Sequence, residues 1–419
     1  SAVRRWVMGD AAYERAATTD EVAAMVVIVE AAMAAGALGV SSSHAPTHLD
    51  LADRPVPSRL ATLDELRALA DAQGRSGRGS LAYAPESAVE GIDAADRDLL
   101  MELAARAGAP VVTQGLGGRS KVDAPTQTWL ESKAFLDRAA ANGTPVHSLL
   151  MTRPLNGPFD LVHGTSRYEG VPLWHELMGL DADAMRAWLT DPDRRAALRG
   201  AIDEPNRDPA RGSTLPPPFF ESLRIATVAS ATNAHLEGRT VGAIAAETGR
   251  HPADVMFDVA LADDLATVFH WSNETPAWRD LLREVQTHPQ LLVGVSDGGA
   301  HLDRDDGQEW STQFLATWWR AEQVWTLEEA IRRITAVPAA VLGLTDRGIV
   351  GEGRPADLFV FDPDAIDVGT CRLEHDAVTG APRFRAVPRG IHTTIVNGVV
   401  VVEGGETTGA VPGTVVRPG

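Results

Sequence analysis

Between residues 79 and 151, short apolar runs alternate with helix-forming segments, and this alternation decides the fold. The runs are Gly79-Ser-Leu-Ala-Tyr83, Pro110-Val-Val-Thr-Gln114 and Pro145-Val-His-Ser-Leu-Leu-Met151. The segments between them, 96–107 and 128–142, have the length and apolar spacing of amphipathic helices. Strands joined by single helices predict a parallel sheet.

The alternation continues in both directions along the chain. Upstream, a predicted helix at 19–35, a strand at 37–44 and a helix at 62–74 precede the first run. Downstream, 153–222 is rich in Pro and Gly loops and predicts a lid or insertion. The later predicted strands are 266–270 and 291–296, and the later helices are 240–248, 252–262, 277–287 and 326–336.

After Gly348 the pattern changes to short β-branched runs separated by Gly and Pro. The pair Asn397-Gly398 lies between two runs of Val and Ile, which predicts a tight hairpin. A separate β unit is therefore expected over residues 348–419.

Composition excludes several classes of protein. The 419 residues carry a formal net charge of -19, which repels nucleic acid phosphates and anionic lipid headgroups. We therefore expect neither a nucleic acid partner nor a membrane partner. The single cysteine, Cys371, cannot form an intrachain disulfide, and a cytoplasmic location is the expectation.

Several ordered motifs resemble the amidohydrolase superfamily. Gly348-Ile-Val-Gly-Glu-Gly-Arg-Pro-Ala-Asp-Leu-Phe-Val-Phe-Asp362, with the hairpin after it, resembles the passage from the barrel into a small β-sandwich. Val7-Met8-Gly9, 34–42 and Gly294-Val-Ser-Asp297-Gly-Gly-Ala-His301 are similar to the N-acyl-D-amino-acid deacylase (D-aminoacylase) branch. The resemblance implies an α/β fold: a (β/α)8 TIM-like barrel over 1–347, incomplete in this chain, and a small β-sandwich domain over 348–419.

The resemblance implies that Asp297 takes a proton from the attacking water and returns it to the leaving nitrogen. Asp297 follows the apolar run 291–295, at the strand end where barrel enzymes place their chemistry. The alternative is an Asp that bonds its own backbone in a Gly-rich turn. His301, four residues later, is a second candidate catalytic residue.

The resemblance also implies a divalent metal, with zinc as the first choice, but the histidines expected as ligands are absent. The chain has no His-x-His, and the corresponding strand ends read Ala84-Pro85-Glu86-Ser87 and Thr113-Gln114-Gly115-Leu116. Two alternatives follow. Either the metal is held differently, by Asp297 with Glu86 or His48, or no metal is bound and the chemistry has changed.

Several polar residues near predicted strand ends are candidates for substrate binding. His48 and Arg59 follow the strand at 37–44, and Asn273 and Glu274 follow the strand at 266–270. Arg59 suits bidentate binding of a substrate carboxylate, although pairing with a surface Asp is an equal alternative. His147 and the group Trp310, Phe314, Trp318 and Trp319 are expected to serve core packing.

The first residue, Ser1, is a candidate nucleophile produced by processing of a longer precursor. In the superfamily an additional N-terminal stretch supplies the first barrel strand and part of the sandwich, so we expect an N-terminal companion polypeptide from the same precursor. Ser1 would then be a processed nucleophile whose own α-amine is the base, unless its position reflects trimming alone. A homo-oligomer is left open.

The leading hypothesis is a hydrolase of C–N bonds in linear or cyclic amides, similar to the deacylases of N-acyl amino acids. Two alternatives remain: a metal-independent amidase or acyltransferase that uses Ser1, and a catalytically degenerate binding protein.

Overall fold

A computed structural model describes most of the chain. The described residues are 1–50, 52, 54–89, 91–116, 125–154, 156–168, 170–204, 219–272, 274, 276–296, 307, 309–375 and 382–418.

A five-stranded parallel sheet forms the centre of the N-terminal part, in the order β1-β2-β3-β4-β8. Its strands are β1 Gly39–Ser43, β2 Ser80–Ala84, β3 Val111–Thr113, β4 Val146–Leu150 and β8 Leu291–Val293. The helices between them are α3 Leu63–Gly74, α4 Ala94–Ala107 and α5 Pro125–Ala141, after α1 Ala2–Met8 and α2 Thr19–Ala34. The predicted alternation and the parallel sheet are confirmed, whereas the strands do not close into a barrel within the described residues.

The two faces of this sheet have different surroundings. One face packs against α3, α4 and α5 with the buried side chains Leu81, Tyr83, Val111, Val146, Leu291 and Val293. On the other face Ser41, Ala82, Val112 and His147 lie in register across four neighbouring strands. Ser41 and Ala82 are exposed, so this second face is only partly covered.

A second layer is built around a three-stranded antiparallel sheet, in the order β5-β7-β6. Its elements are β5 Asn156–Phe159, α6 Pro172–Met178, α7 Ala182–Thr190, α8 Pro192–Asp203, β6 Arg224–Thr227, α9 Val241–Thr248, α10 Pro252–Ala262 and β7 Val268–Ser272. It has its own aromatic core, in which the rings of Tyr168 and Trp174 stack with centroids 4.5 Å apart.

The predicted strand at 266–270 forms as β7, but its expected place in the parallel sheet was wrong. β4 pairs directly with β8, so no position remains between them for another strand. β7 instead pairs antiparallel with β5 and β6, and its buried Phe269 and Trp271 alternate with half-buried residues. That alternation is typical of an antiparallel sheet with one packed face.

The C-terminal part continues with helices and ends in antiparallel strands. It comprises α11 Pro276–Val285 before β8, then α12 Trp310–Phe314, a π-helix Leu315–Ala321, α13 Leu327–Ile334, α14 Ala336–Val341, β9 Leu358–Phe361, β10 Asp367–His375, β11 Pro382–Arg389, β12 Ile391–Val396, β13 Val399–Glu403 and β14 Glu406–Thr407. The order β14-β13-β12-β9 makes one sheet, and β10 pairs with β11. The predicted hairpin is confirmed: Asn397 and Gly398 have φ values of 47° and 78°, as a type I′ turn requires.

The helices α1, α2 and α3 pack together around Met8, Met25, Met33 and Leu69. The Arg4 guanidinium on α1 donates to the Glu65 carboxylate on α3, and the two side chains are only 3% and 1% exposed. Burial raises the pKa of Glu65 in spite of Arg4, so each charge is tolerated only because of its partner.

We expect Arg4→Met to lower the free energy of unfolding by about 3–5 kcal/mol, because Glu65 would stay buried without a partner. The double variant Arg4→Met/Glu65→Leu should recover most of that loss, since no buried charge remains. Urea denaturation followed by circular dichroism measures both. Arg15→Met is the control, since it breaks the partly exposed pair with Glu21 and should cost far less stability than Arg4→Met. Equal losses for the Arg4 and Arg15 variants would contradict the prediction.

Candidate active site

The carboxyl ends of β1 and β2 open into a cleft of about 490 Å³. Its walls are the loops after these two strands and the first turns of α3 and α4, with His44, Arg59, Tyr83 and Glu86 among the lining residues. Arg59 belongs to a short 3-10 helix, Pro57–Leu60, in which Ser58 is buried and fixes the turn. In parallel α/β folds, ligands bind at this edge of the sheet.

His44 and Tyr83 form a hydrogen-bonded pair in the cleft. The distance from Nδ1 of His44 to the Tyr83 hydroxyl is 2.7 Å, and the rings meet edge to face. Burial lowers the pKa of His44, an effect that the Ala61 backbone, Glu86 and Asp96 offset only in part. Burial also raises the pKa of Tyr83 far above its usual range, so both groups are neutral near pH 7.

The charged residues of the cleft fall into two groups. Arg67 binds Glu102 through two hydrogen bonds of 2.8 and 3.0 Å, and Asp96 accepts from the Ser87 hydroxyl at 2.5 Å. Within the described part of the chain, the side chains of Arg59 and Glu86 make no hydrogen bond or ion pair. These two charges are therefore available to a ligand.

The structure separates the other predicted site residues from this cleft. His48 lies in the loop after β1, where its backbone bonds to Ala45 and Val56 close a turn, and it does not line the cleft. Glu274 follows β7 and accepts a 2.8 Å hydrogen bond from Arg279. The Ser1 hydroxyl donates to Ser58 Oγ at 2.9 Å, in the 3-10 helix that carries Arg59, and Ser1 itself does not line the cleft. The proposed roles of all three residues remain predictions.

Asp297, His301 and Asn273 lie outside the described residues. His147 is on the less covered face of the sheet, where burial lowers the pKa of its imidazole. Phe314 and Trp318 are buried in the core, as predicted.

The residues described here do not assemble a metal site, because they contain no cluster of three His, Cys, Asp or Glu side chains that could hold an ion. The candidate ligand Asp297 lies outside the described residues. Nor does any described helix combine the length and apolar character needed to cross a bilayer.

Sequence reasoning missed Tyr83 as a site residue, although it had placed it in a strand. The available signal was a hydroxyl-bearing side chain near the carboxyl end of a strand in a parallel sheet.

The lowered pKa of His44 predicts a stability that depends on pH. The unfolded chain protonates this imidazole near pH 6.5, whereas the folded protein resists it, so the unfolded state binds more protons between the two pKa values. The contribution of the neutral His44 imidazole to the free energy of unfolding is therefore full above about pH 6.5. It is lost as pH falls from there towards the pKa of the folded state, by about 1.4 kcal/mol for each unit between the two pKa values.

We expect His44→Gln to lose less stability than the wild type when pH is lowered from about 7.5 to 5.5. Thermal or urea unfolding at several pH values measures the difference. His175→Gln, at an exposed position on α6, is the control and should follow the wild type. If stability falls equally with pH in the His44 variant and the wild type, the lowered pKa of His44 is not the cause of the loss.

Comparison with known proteins agrees with this architecture. Residues 217–402 match the model of the Amidohydrolase family. An N-acyl-D-aspartate deacylase of Alcaligenes xylosoxydans xylosoxydans is 32% identical over 182 residues, which are 41% of this chain and 34% of the relative. An uncharacterized protein of Mycobacterium tuberculosis (strain ATCC 25618 / H37Rv) is 27% identical over 94% of this chain and 64% of its own length.

A solved structure of D-aminoacylase, studied for the role of its binuclear metal centre, aligns with a TM-score of 0.55 at 23% identity. The alignment covers 97% of this chain and 68% of that one, and it shows a common fold. The chain thus spans about a third of the deacylase and under two thirds of the mycobacterial relative. Residues 217–402 are thus similar to the Amidohydrolase family, and the resemblance to the D-aminoacylases that the sequence predicted is confirmed.

Proposed function

We propose that this protein hydrolyses the amide C–N bond of N-acyl amino acids. The observation that carries the proposal is the amidohydrolase match over 217–402, a span that includes β8 and the Asp297 that follows it. Relatives named N-acyl-D-aspartate deacylase and D-aminoacylase support the same substrate class.

Asp297 is the proposed general base and acid. Its carboxylate accepts a proton from water as the water oxygen bonds to the acyl carbon, and it then donates that proton to the nitrogen as the C–N bond breaks. The products are a carboxylic acid and a free amino acid, and the carboxylate of Asp297 is regenerated. His301 is proposed to assist from the same segment.

A divalent metal is part of the proposal because a D-aminoacylase structure is described by its binuclear metal centre. Zinc is the first candidate, with Asp297 and His48 as the ligands suggested by sequence. Elemental analysis of the purified protein tests the presence of the ion, and its stoichiometry tests how many are bound.

Arg59 is the proposed partner of the substrate carboxylate, because its guanidinium lies in the cleft and has no described partner to displace. Asn273, Glu274 and His48 are retained as proposed substrate contacts from the sequence.

For the general base, we expect Asp297→Asn to lower kcat about 10²- to 10⁴-fold on the best of N-acetyl-D-aspartate, N-acetyl-D-glutamate and N-acetyl-D-leucine. The amide cannot accept the proton from water, whereas binding is preserved. Release of free amino acid measures the rate. Asp183→Asn, which alters an exposed side chain on α7, is the control. Unchanged turnover in Asp297→Asn would exclude the role, and activity that also survives metal removal would favour Ser1 instead.

For the carboxylate contact, we expect Arg59→Gln to raise KM about tenfold or more while kcat changes little, since a charged hydrogen bond contributes about 1.5–3 kcal/mol in both ground and transition states. Methyl esters of the same substrates lack the charge, so the variant and the wild type should handle them alike. Arg75→Gln, which breaks a surface pair with Glu30, is the matched control. An equal KM increase on acid and ester substrates would show that Arg59 does not bind the carboxylate.

A further inference from the structure

A second cleft, of about 550 Å³, opens in the second layer between α7, α8 and α10. Three arginines and two aspartates line it: Arg195, Arg199, Arg250, Asp254 and Asp258. Arg195 and Arg199 are four residues apart on α8, and the two aspartates are four residues apart on α10, so each pair lies on one face of its helix. None of the residues that line this arginine cleft also lines the cleft at β1 and β2.

Arg195 contacts both carboxylates of the arginine cleft. Its Nη2 lies 2.5 Å from Asp258 and its Nη1 lies 3.6 Å from Asp254, while its Nε donates to the Leu189 carbonyl. Burial raises the pKa of Asp258, but hydrogen bonds from Arg195 and Arg250 outweigh burial and lower that pKa overall. Asp258 is therefore ionised near pH 7, and Arg195 is committed to the contact between α8 and α10.

Arg199 and Arg250 keep donors for a ligand. Arg199 donates to both oxygens of Asp254 through Nη1, at 3.0 and 2.8 Å, and Arg250 donates to Asp258 through Nη2. In the part of the chain that the structure describes, no acceptor meets Nε and Nη2 of Arg199 or Nε and Nη1 of Arg250. The two side chains are 34% and 45% exposed, so a ligand can reach them. The Nε–Nη2 edge of Arg199 is thus open for two parallel hydrogen bonds to one oxyanion.

The charge and the walls of the arginine cleft favour a small organic monoanion. Its three guanidinium groups and two carboxylates leave one net positive charge, in a chain whose net charge is -19. A carboxylate matches that single charge, whereas a phosphate monoester carries about −1.5 to −2 at pH 7 and would add repulsion from the aspartates. Leu189, Pro192 and Leu261 supply apolar wall for an aliphatic chain. The volume lies within the range of about 300–1,000 Å³ that is usual for small-molecule sites.

We propose that the arginine cleft binds a small aliphatic carboxylate. The carboxylate accepts two hydrogen bonds from the Nε–Nη2 edge of Arg199 and a further one from Arg250, while its chain lies against the apolar wall. Arg195 contributes positive charge and holds α8 against α10. This binding site is separate from the proposed active site and does not depend on the proposed function.

Isothermal titration calorimetry with hexanoate tests the proposal on the whole chain. We expect the wild type to bind hexanoate and not methyl hexanoate, because the ester has no charge for the guanidinium groups. Acetate should bind about tenfold or more weakly than hexanoate, because it has no chain to bury against the apolar wall. Inorganic phosphate should also bind more weakly than hexanoate. Hexanoate should raise the Tm of the wild type, since a ligand of the folded state stabilises it.

Two substitutions remove the proposed contacts. Arg199→Lys keeps the charge and a donor for Asp254 but has no guanidinium edge, so hexanoate affinity should fall about tenfold or more. Arg250→Gln should weaken hexanoate binding about threefold or more, because it removes one charged donor. Thermal unfolding of each variant without ligand shows that it folds, and hexanoate should then raise its Tm less than that of the wild type.

Two control variants keep the arginine cleft intact. Arg194→Gln removes the same charge from α8, but the Arg194 guanidinium lies over the Trp188 ring, 4.3 Å from its centroid, and does not line the cleft. Arg59→Gln removes the available cation of the cleft at β1 and β2. Both variants should keep the hexanoate affinity of the wild type within about twofold, as contacts at separate sites act independently.

Several outcomes would overturn the proposal. No hexanoate binding by the wild type, or tighter binding of phosphate than of hexanoate, would exclude a carboxylate site. Equal weakening in Arg194→Gln and Arg199→Lys would indicate general charge attraction, and loss of binding in Arg59→Gln would place the ligand in the other cleft. If Arg199→Lys and Arg250→Gln lower stability but keep hexanoate affinity, the arginines only join the helices.

Discussion

The pairing of β4 with β8 is the constraint on which the rest of the structure depends. Ser148, Leu149 and Leu150 align with Leu291, Leu292 and Val293, although residues 151–290 separate them in sequence. The entropic cost of closing a loop grows only slowly with its length. A long intervening segment is therefore tolerated if it buries its own apolar surface. The antiparallel sheet β5-β7-β6 and its helices do this with a separate aromatic core.

The same pairing explains why buried arginines support β8 at both ends. Arg333 donates to the carbonyls around its amino end, and Arg153 donates to Ser296 beyond its carboxyl end. β8 is only three residues long and lies at the edge of the described sheet, so its own ladder supplies few hydrogen bonds. Side-chain donors from α13 and from the end of β4 add the restraints that a longer strand would provide from its backbone.

The sequence predicted the turns and helix starts that depend on only a few neighbouring residues. The Asn397-Gly398 turn forms because both residues tolerate positive φ, and the helices begin at capping residues such as Thr62, whose hydroxyl accepts from Glu65. Periodicity also predicted the strand β7, but it could not predict which strands pair with it. Alternating burial indicates that one face of a strand is packed, and it carries no information about the neighbouring strands. The parallel order was predicted from helix–strand alternation, and β7 was the exception.

The site was predictable only in part, for a related reason. Arg59 was selected because a cation in a loop after a strand suits a carboxylate, and the structure places it in the cleft. His44 and Tyr83 are 39 residues apart in the sequence, and their contact forms only when β1 and β2 pair, so no local pattern predicts it. His48 was predicted from its place after the same strand, but of the two histidines in this loop only His44 lines the cleft.

The electrostatics of the cleft show why a single arginine matters for an acidic ligand. The chain carries a net charge of -19, which opposes the approach of an anion, but salt screens this repulsion beyond about 8 Å. Recognition must therefore come from short-range contacts. The neutral His44–Tyr83 pair neither attracts nor repels a carboxylate, and Arg67 is already neutralised by Glu102. Arg59 is thus left as the cleft's available cation among the described residues. Glu86 also lines the cleft, and its carboxylate disfavours a ligand that presents a second negative charge near it.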